Sequence, residues 1–189
     1  MSEINTNTRT GPSFSFRNRI ARLLWGMVYL FFFRYSPRPL HGWRRILLRF
    51  FGASIGKGVH VYPGVRIWAP WNLEIDDYSG VGDGVQLYSQ GLIKIGKYVV
   101  ISQGTYLCAG THDYREPGFP LITKPIHIED HVWVAAEAFI HPGITIGEGT
   151  VVGARSVVNR SLPSWKVCSG NPCIILKDRK KVFSNTHAS

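Results

Sequence analysis

His112 is the residue in this 189-residue sequence whose type and position most directly suggest chemistry. It follows Thr111 and precedes Asp113, at a point where a regular repeat in the chain is interrupted. Loops held by a rigid scaffold often carry functional residues. An imidazole can act as a general base near neutral pH, because the ordinary pKa of histidine is about 6.5. We therefore take His112 as a candidate base, although a loop histidine on its own is more often solvated or structural.

Three further histidines raise the question of a metal site: His127, His131 and His141. His127 and His131 stand four residues apart, a spacing that brings two side chains together on a helix but not on a β-strand. No acidic set completes a ligand shell around them. The sequence therefore predicts no bound metal.

The cysteines favour a reducing, cytoplasmic setting. The sequence contains three, Cys108, Cys168 and Cys173. They form no CxxC pair, so neither a cysteine-rich zinc site nor a disulfide framework is indicated.

Positive charge is concentrated at the front of the chain. Lys and Arg number 22 against 12 Asp and Glu, a formal net charge of +10. Residues 1–57 contain ten basic residues and one acidic residue, so they carry +9 and the other 132 residues carry +1. This distribution favours a local attraction at one end and argues against nucleic acid bound along a cationic groove.

The front of the chain also divides into a tail and a helical segment. Residues 1–13 are polar, which predicts a disordered tail, and residues 14–52 are a basic amphipathic segment that we expect to be helical. The apolar run at residues 23–33 would be about 16 Å long as a helix, against a hydrocarbon core of ~30 Å. It is too short to span a bilayer.

Two roles for residues 14–52 remain open at this stage. The apolar side chains could enter the headgroup boundary of a membrane while the arginines meet anionic lipids. Alternatively, the segment is a cap that packs its apolar face on the protein and leaves the arginines in solvent. Secretion is not favoured, because residues 34–39 offer no small-residue cleavage site. We expect a cytoplasmic protein, either free or at the inner face of the membrane.

A six-residue repeat predicts the fold. Its clearest block has aliphatic residues six apart at Ile128, Val134, Ile140, Ile146, Val152 and Val158. Three hexads make one triangular coil, in which the aliphatic side chains point inward and stack at the ~4.8 Å strand spacing. A sandwich of strands would show period-two alternation instead. The sequence therefore predicts a mainly β protein, with a parallel β-helix of hexapeptide repeats over residues 53–163.

The coil starts locate an insertion. Coils begin at residues 55, 75, 95, 128 and 146, so their separations are 20, 20, 33 and 18 residues. The third interval is fifteen residues longer than an 18-residue coil, which predicts a protruding loop at residues 112–127. Residues 164–189 should form a C-terminal cap and tail over the open end of the last coil.

The motifs around this loop resemble those of the hexapeptide-repeat O-acetyltransferases. They are the Thr111-His112 pair and residues 125–133 (PIHIEDHVW), 141–147 (HPGITIG) and 170–172 (GNP). A closer similarity, to acetyltransferases of colanic acid and related exopolysaccharide biosynthesis, includes residues 47–53 (LLRFFGA), 101–103 (ISQ) and 106–108 (YLC). The resemblance covers about residues 20–177 and implies a left-handed β-helix.

The resemblance also implies an enzyme with a defined mechanism. It implies a homotrimer with active sites between neighbouring solenoids, acetyl-CoA as co-substrate and His112 as catalytic base. A sugar hydroxyl is a poor nucleophile, so it needs a base within hydrogen-bond reach as it attacks the thioester carbonyl.

Six residues match the family's cofactor-binding positions. Trp133, Ala135, Ala136 and Ala154 match the stretch beside the pantetheine, and Arg160 and Lys177 match basic positions that meet phosphates. Small residues also suit tight coil corners, and charged residues near a terminus also aid solubility. Many relatives carry Arg after GNPC, where this chain has Ile174, and Lys177 or Arg179 are possible substitutes.

Five residues on the adjacent corner or the protruding loop are candidates for binding the acceptor: Asp83, Gln86, Tyr88, Tyr114 and Arg115. Polar groups and aromatic faces suit a sugar, although each of these residues alone could be solvated surface.

Together these features predict an acetyl-CoA-dependent O-acetyltransferase acting on a sugar hydroxyl in exopolysaccharide biosynthesis, with a free sugar or a lipid-linked oligosaccharide as acceptor. Three alternatives remain: acetylation of a small soluble sugar or amino sugar, a zinc lyase of the carbonic anhydrase type, and a non-catalytic trimeric scaffold.

Overall fold

The computed structural model describes residues 13–181. Apart from Ser13, the tail predicted at residues 1–13 lies outside the described residues, and so do residues 182–189 of the predicted C-terminal tail. The described chain forms a left-handed parallel β-helix, triangular in section, with helices at its N-terminal end. The predicted fold class is confirmed.

Two α-helices precede the solenoid. α1 (Phe16–Val28) continues into a π-helical turn (Tyr29–Phe33), and α2 (His41–Phe50) follows. The Ser15 hydroxyl caps α1 by accepting a hydrogen bond from the backbone N–H of Asn18 at 3.3 Å. Within residues 13–181, no helix is long and apolar enough to cross a membrane.

The solenoid consists of five coils of short strands. The first coil contains β1 (Ser54–Ile55), β2 (His60–Val61) and β3 (Arg66–Ile67), followed by a 3₁₀ turn (Pro70–Asn72). The second contains β4 (Leu73–Ile75), β5 (Gly80–Val81) and β6 (Gln86–Tyr88). The third contains β7 (Ile93–Ile95), β8 (Val100–Ile101) and β9 (Tyr106–Cys108), after which a hairpin of β10 (Gly110–His112) and β11 (Leu121–Thr123) protrudes. The fourth contains β12 (Ile126–Ile128), β13 (Trp133–Val134) and β14 (Phe139–Ile140). The fifth contains β15 (Thr145–Ile146), β16 (Val151–Val152) and β17 (Val157–Val158), and β18 (Lys166–Ser169) and β19 (Ile174–Asp178) end the described chain.

Strands of successive coils stack in register to form three faces. The first face has the order β1-β4-β7-β12-β15, the second β19-β18-β16-β13-β8-β5-β2, and the third β17-β14-β9-β6-β3. The repeated aliphatic positions meet across coils, as in Ile75 opposite Ile95 and Ile95 opposite Ile128. These side chains are buried and form one continuous core. The six-residue period therefore fixes which side chain of each strand points inward.

α2 closes the N-terminal end of the solenoid through its arginines. Arg44 is fully buried and donates a hydrogen bond to the Val61 carbonyl at 2.6 Å. Arg45 donates to the Val59 carbonyl and Arg49 to the Ile55 carbonyl, at 2.9 and 3.0 Å. In the part of the chain that the structure describes, no coil precedes the first one to pair these carbonyls, and the guanidinium groups donate to them instead. Arg44 is thus removed from solvent and Arg45 is half-buried, whereas Arg49 is exposed although its guanidinium is hydrogen-bonded to the first coil.

α1 lies against the third face. The Trp25 indole N–H donates to the Ile67 carbonyl at 2.8 Å, and the Arg22 guanidinium carbon lies 4.1 Å from the centroid of the Trp68 ring. Phe14, just before the helix, contacts the same indole with a ring separation of 4.8 Å. These contacts set α1 beside the corner from which the hairpin leaves.

The far end of the solenoid is covered by its last two strands. β18 continues the second face beside β16, and β19 pairs antiparallel with β18. Leu162 forms a parallel bridge with Ile146 and is buried. The strand edge of the last coil is therefore partly paired within the chain.

Candidate active site

The hairpin of β10 and β11 positions His112. It leaves the corner between the third and first faces, where the third coil is interrupted, and its register places His112 opposite Leu121. Leu121 is buried, whereas the His112 side chain is exposed. The hairpin therefore holds the His112 imidazole at the protein surface, while the buried Leu121 side chain anchors the opposite strand.

A backbone carbonyl orients the His112 ring. Its Nδ1 atom lies 2.6 Å from the carbonyl oxygen of Phe119, across the hairpin. Because a carbonyl oxygen only accepts hydrogen bonds, the neutral ring carries its proton on Nδ1 in this contact. The lone pair of Nε2 is then available to receive a proton. This arrangement suits a general base.

The tip of the hairpin carries two of the predicted acceptor residues. Asp113 accepts hydrogen bonds from the backbone N–H and the Nε of Arg115, at 3.0 and 3.1 Å. Hydrogen bonds from the Arg115 side chain, and then from its backbone, lower the pKa of Asp113 below its ordinary value. Arg115 is thus engaged in a local ion pair, and Tyr114 is 79% exposed.

A cavity of about 320 Å³ lies beside His112. Its lining includes Arg19, Arg22, Tyr88, Gln90, His112 and Leu121, and we call it the His112 cavity. The Gln90 amide Nε2 donates to the Tyr88 hydroxyl at 2.8 Å. Burial, and then the nearby Cys108 thiol, raises the pKa of Tyr88, while Arg22 acts in the opposite direction. The phenol is therefore a neutral hydroxyl at physiological pH.

A second cavity of about 360 Å³ adjoins the first. Its lining includes Arg22, Tyr29, Arg66, Trp68, Gln86 and Tyr88, and we call it the Arg66 cavity. Arg22 and Tyr88 line both cavities. The two cavities together form a groove between α1 and the solenoid, which we call the α1 groove.

The structure brings together only part of the predicted acceptor set. Tyr88 lines the His112 cavity, and Gln86 lines the Arg66 cavity. Asp83, Tyr114 and Arg115 line neither. Asp83 accepts a hydrogen bond from the Gly64 amide at 2.9 Å and lies 3.8 Å from Arg38, so it holds neighbouring turns.

The predicted pantetheine residues lie along the second face and the corner that follows it. Trp133 is about half exposed on β13, and its indole N–H donates to the Ser102 hydroxyl at 3.0 Å. Ala135 is buried, whereas Ala154 is exposed. Ala136 occupies the equivalent turn one coil before Ala154, and its carbonyl accepts from the Arg155 amide at 2.9 Å.

The two predicted phosphate-binding residues lie nearer the far end of the solenoid. Arg160 is exposed after β17 and lines a shallow depression of about 150 Å³ with Cys173 and Ile174. Lys177 is exposed on β19, opposite Val167 of β18.

In one chain, the predicted base and the predicted pantetheine residues occupy different corners of the prism. His112 leaves the corner between the third and first faces, whereas Ala136 and Ala154 lie between the second and third faces. The third face separates them. A single chain therefore does not assemble these residues into one site.

The three histidines considered as metal ligands are dispersed. His127 lies on β12, and His141 follows β14. His131 stacks on Tyr98, with ring centroids 5.1 Å apart. Within residues 13–181, no group of three or more His, Cys, Asp or Glu side chains could hold a metal ion.

Sequence reasoning missed several residues of the α1 groove. Arg22, Trp68 and Gln90 line it or support it, but none belongs to a recognisable motif. Arg22 and Trp68 are 46 residues apart in the chain and meet only because α1 packs on the third face. Phe119 was missed because its carbonyl, rather than its side chain, contacts His112.

Comparisons with known proteins are consistent with this architecture. The family described as "Bacterial transferase hexapeptide (six repeats)" matches residues 125–160. The chain is 49% identical over 162 residues to the colanic acid biosynthesis acetyltransferase WcaF of Escherichia coli strain K12, covering 86% of this chain and 89% of that protein. It is 31% identical over 127 residues to the galactoside O-acetyltransferase of the same strain, covering 66% of this chain and 56% of that protein.

A solved structure extends the likeness over nearly the whole chain. A hexapeptide-repeat acetyltransferase of Vibrio cholerae O1 biovar eltor, in complex with acetyl-CoA, superposes with a TM-score of 0.81 at 28% identity. The match covers 96% of this chain and 100% of that one.

Proposed function

Because this chain belongs to the hexapeptide-repeat acetyltransferases, we propose that it transfers the acetyl group of acetyl-CoA to a sugar hydroxyl in exopolysaccharide biosynthesis, with His112 as the general base. The observation that carries the proposal is the contact between His112 Nδ1 and the Phe119 carbonyl, because it leaves Nε2 free to receive a proton. The similarity to a colanic acid biosynthesis acetyltransferase supports the assignment of the pathway class.

The reaction follows from the basicity of this imidazole. Nε2 of His112 removes the proton of the acceptor hydroxyl as its oxygen attacks the thioester carbonyl carbon. When the tetrahedral intermediate collapses, the C–S bond breaks and the imidazolium returns the proton to the departing thiolate. The products are an acetyl ester and free coenzyme A. General-base assistance of this kind contributes typically about 10²- to 10⁴-fold in rate.

The complete site is formed between chains of a homotrimer. His112 and the pair Ala136 and Ala154 lie on different corners of one prism, so they can face the same acetyl-CoA only if two chains supply them. Cyclic assemblies with head-to-tail contacts bring two different surfaces of neighbouring copies together. In this arrangement Trp133 and the corner alanines line the pantetheine, while Arg160 and Lys177 meet phosphates.

Within residues 14–52, the part that precedes α2 forms a peripheral membrane contact, which places the enzyme at the cytoplasmic face of the membrane. Along α1 and the π-helical turn, exposed apolar residues recur every one to four positions: Phe16, Ile20, Leu23, Met27, Leu30 and Phe31. They are between 42% and 71% exposed, and we call them the apolar stripe. Exposed arginines flank the stripe, with Arg17 and Arg19 at its start and Arg34 and Arg38 at its end.

Charge favours an anionic lipid surface as the occupant of the apolar stripe. Residues 14–52 contain no acidic residue, and four of their eight arginines (Arg17, Arg19, Arg34 and Arg38) are exposed beside the apolar stripe. Arg44, Arg45 and Arg49 instead donate hydrogen bonds to the first coil. Apolar side chains between arginines suit the headgroup boundary, where the side chains enter the lipid and the guanidinium groups meet phosphates. A protein partner would instead have to supply carboxylates opposite every unpaired arginine.

A thiol-release assay tests the proposed reaction. The protein is incubated with acetyl-CoA and a panel of free sugars, nucleotide sugars and lipid-linked oligosaccharides, and free coenzyme A is measured. We expect release that depends on the acceptor, and a loss of at least about 100-fold in turnover for His112→Ala with normal folding. Equal turnover of His112→Ala and the wild type would contradict the role of His112.

A further inference from the structure

The α1 groove is lined by an excess of positive charge. Arg19, Arg22 and Arg66 line its two cavities, and no carboxylate among residues 13–181 does. Among residues 13–181, the ion pairs closer than 4.0 Å involve other arginines and lysines. Asp83 lies near Tyr29 at the edge of the groove, but it faces Arg38. A concave surface of this composition concentrates anions.

The orientation of Arg22 is fixed before any ligand binds. Its guanidinium lies 4.1 Å above the Trp68 ring, and Trp68 meets Tyr88 edge to face at 6.2 Å. Trp25, on the same helix, is held by its hydrogen bond to the Ile67 carbonyl. A guanidinium stacked in this way keeps the N–H groups at its edge free to donate to oxyanions. Little side-chain entropy is then lost on binding an anion.

Arg66 and His112 lie at opposite ends of the α1 groove, so a ligand can extend from one to the other. Arg66 lies on β3 of the first coil, Gln86 and Tyr88 lie on β6 of the second, and His112 follows the third. Two coil spacings of ~4.8 Å place the Arg66 end about 10 Å from the level of the third coil. This distance leaves room for a sugar ring between an anion at Arg66 and a hydroxyl at His112. The aromatic and amide side chains of the second coil line the intervening space.

We propose that the acceptor is a sugar phosphate or sugar diphosphate whose phosphate binds between Arg22 and Arg66, while its hydroxyl reaches His112. This inference rests on the proposed function for the hydroxyl, but not for the binding of the phosphate. Two guanidinium groups on separate elements match the several oxygens and charges of a phosphate ester better than the single charge of a sugar carboxylate. A nucleotide carrier and a polyprenyl carrier present the same diphosphate.

Calorimetric binding tests the site without requiring catalysis. The probes are methyl α-D-glucoside, α-D-glucuronic acid methyl glycoside, α-D-glucose 1-phosphate, UDP-glucose and a short-chain prenyl-diphosphate glucose, each titrated into the full-length protein at one ionic strength. We expect the phosphate-bearing probes to bind at least about tenfold more tightly than the neutral glucoside. A preference for UDP-glucose or for the prenyl-diphosphate glucose supports the site and identifies the carrier.

Matched variants assign the effect to the groove. Arg66→Gln should reduce the preference for phosphate over the neutral glucoside at least about tenfold, and Arg66→Lys should retain part of it. Lys57→Gln removes one positive charge from an exposed residue on another corner and should preserve the preference. Arg66 is exposed, so its substitution should leave the fold intact, which a thermal melt checks.

Three outcomes would overturn the inference: equal binding of the neutral and phosphorylated probes, equal binding of the glucuronide and the phosphates, or an unchanged preference in Arg66→Gln. Failure of the proposed reaction has a different signature. In that case His112→Ala and the wild type give the same thiol release, whereas the phosphate preference and its loss in Arg66→Gln persist.

Discussion

The Nδ1 atom of His112 lies 2.6 Å from the carbonyl oxygen of Phe119, across a hairpin that interrupts the third coil of the solenoid. This contact joins the proposed base to a backbone carbonyl in the turn that precedes β11, rather than to a carboxylate. Its geometry depends on the hairpin, so the orientation of the ring and the stability of the loop are linked. This link allows the chemical role of His112 to be separated from its structural role.

His112→Asn should abolish catalysis while preserving the hairpin. The asparagine amide nitrogen can take the place of Nδ1 and donate to the Phe119 carbonyl, but the side chain has no equivalent of Nε2. We expect turnover to fall by about 10²- to 10⁴-fold, with a melting temperature close to that of the wild type. Thiol release and a thermal melt measure the two effects. Substantial turnover in this variant would remove His112 from the mechanism.

Gly110→Ala should displace the Gln90 side chain, which lines the His112 cavity, and so lower turnover. A Cβ at Gly110 would overlap the side-chain oxygen of Gln90, which is buried and has no hydrogen-bond partner in the described part of the chain. Gln90 would have to move, and its hydrogen bond to Tyr88 would be disturbed. Small displacements of a positioned group can cost up to about 100-fold in rate, so we expect a loss of at least about tenfold.

Gly80→Ala is the matched control for this change. Gly80 lies on β5, and an added Cβ there meets nothing within 4 Å. Its turnover should stay within about twofold of the wild type. If the two alanine variants behave alike in the thiol-release assay, the packing of Gln90 has no part in the site.

Mixed trimers should recover activity from two inactive variants. His112→Asn lacks the base, and Ala154→Trp fills the corner proposed to contact the pantetheine. If each site takes its base from one chain and its corner from the next, about a third of the sites in trimers that contain both variants have both intact halves. Co-expression of the two variants with different tags, followed by tandem purification, supplies the mixed species for assay.

No recovery in a confirmed mixed trimer would place both halves of the site in the same chain. Sedimentation equilibrium provides the accompanying test of assembly. We expect a species with three times the mass of one chain, and a monomer would contradict the proposed site between chains.

The apolar stripe should govern binding to anionic vesicles. The double change Leu23→Asp and Phe31→Asp places two carboxylates on residues that are 66% and 69% exposed, so folding should be retained. We expect it to reduce co-sedimentation with phosphatidylglycerol vesicles by at least about tenfold, because both burial and charge attraction are lost. Leu176→Asp, on the exposed strand β19 at the other end, is the control and should bind as the wild type does.

Two results would reject the membrane contact. One is equal co-sedimentation of the wild type and the double variant. The other is dissociation of the trimer in the double variant without any change in vesicle binding, which would assign the apolar stripe to contacts between copies.

The cysteines should resist alkylation in the folded protein. Burial, and then the nearby Cys173, raises the pKa of the Cys168 thiol to about 11, and burial also raises the pKa values of Cys108 and Cys173. At pH 8 only roughly one Cys168 thiol in a thousand would be a thiolate, and the thiolate is the reactive form. After brief iodoacetamide treatment of the folded protein, mass spectrometry should find all three cysteines unmodified. In denaturant, all three should be alkylated. Rapid modification of Cys168 in the native protein would contradict its burial.

The repeat made most of the solenoid predictable, because each aliphatic residue at period six has a single inward position on its coil. Ile128, Ile140 and Ile146 could therefore be placed in the core before the structure was known, and the long interval before Ile128 located the hairpin. The position of His112 at that interruption followed from the same arithmetic.

The α1 groove could not be predicted, because it depends on where a helix docks. Arg22 lies on α1 and Trp68 follows β3. The residues that flank each of them in the sequence do not indicate that the two side chains are in contact. A cap over the protein was one of the two roles expected for residues 14–52, but the part that the arginines of α2 play in it was missed. Arg44, Arg45 and Arg49 cap carbonyls of the first coil, whereas their spacing suggested either a lipid-facing or a solvent-facing surface. Every residue type supplies a backbone carbonyl, so the sequence does not indicate which carbonyls accept hydrogen bonds from side chains.

A crystal structure of the assembled protein with coenzyme A would show whether two chains form the active site. We expect the sulfur to lie within hydrogen-bond reach of Nε2 of His112 from one chain, directly or through one water molecule. We also expect Trp133, Ala136 and Ala154 of the neighbouring chain to line the pantetheine. Coenzyme A bound on another surface, or lined by these residues with no His112 near its sulfur, would contradict a site shared between chains.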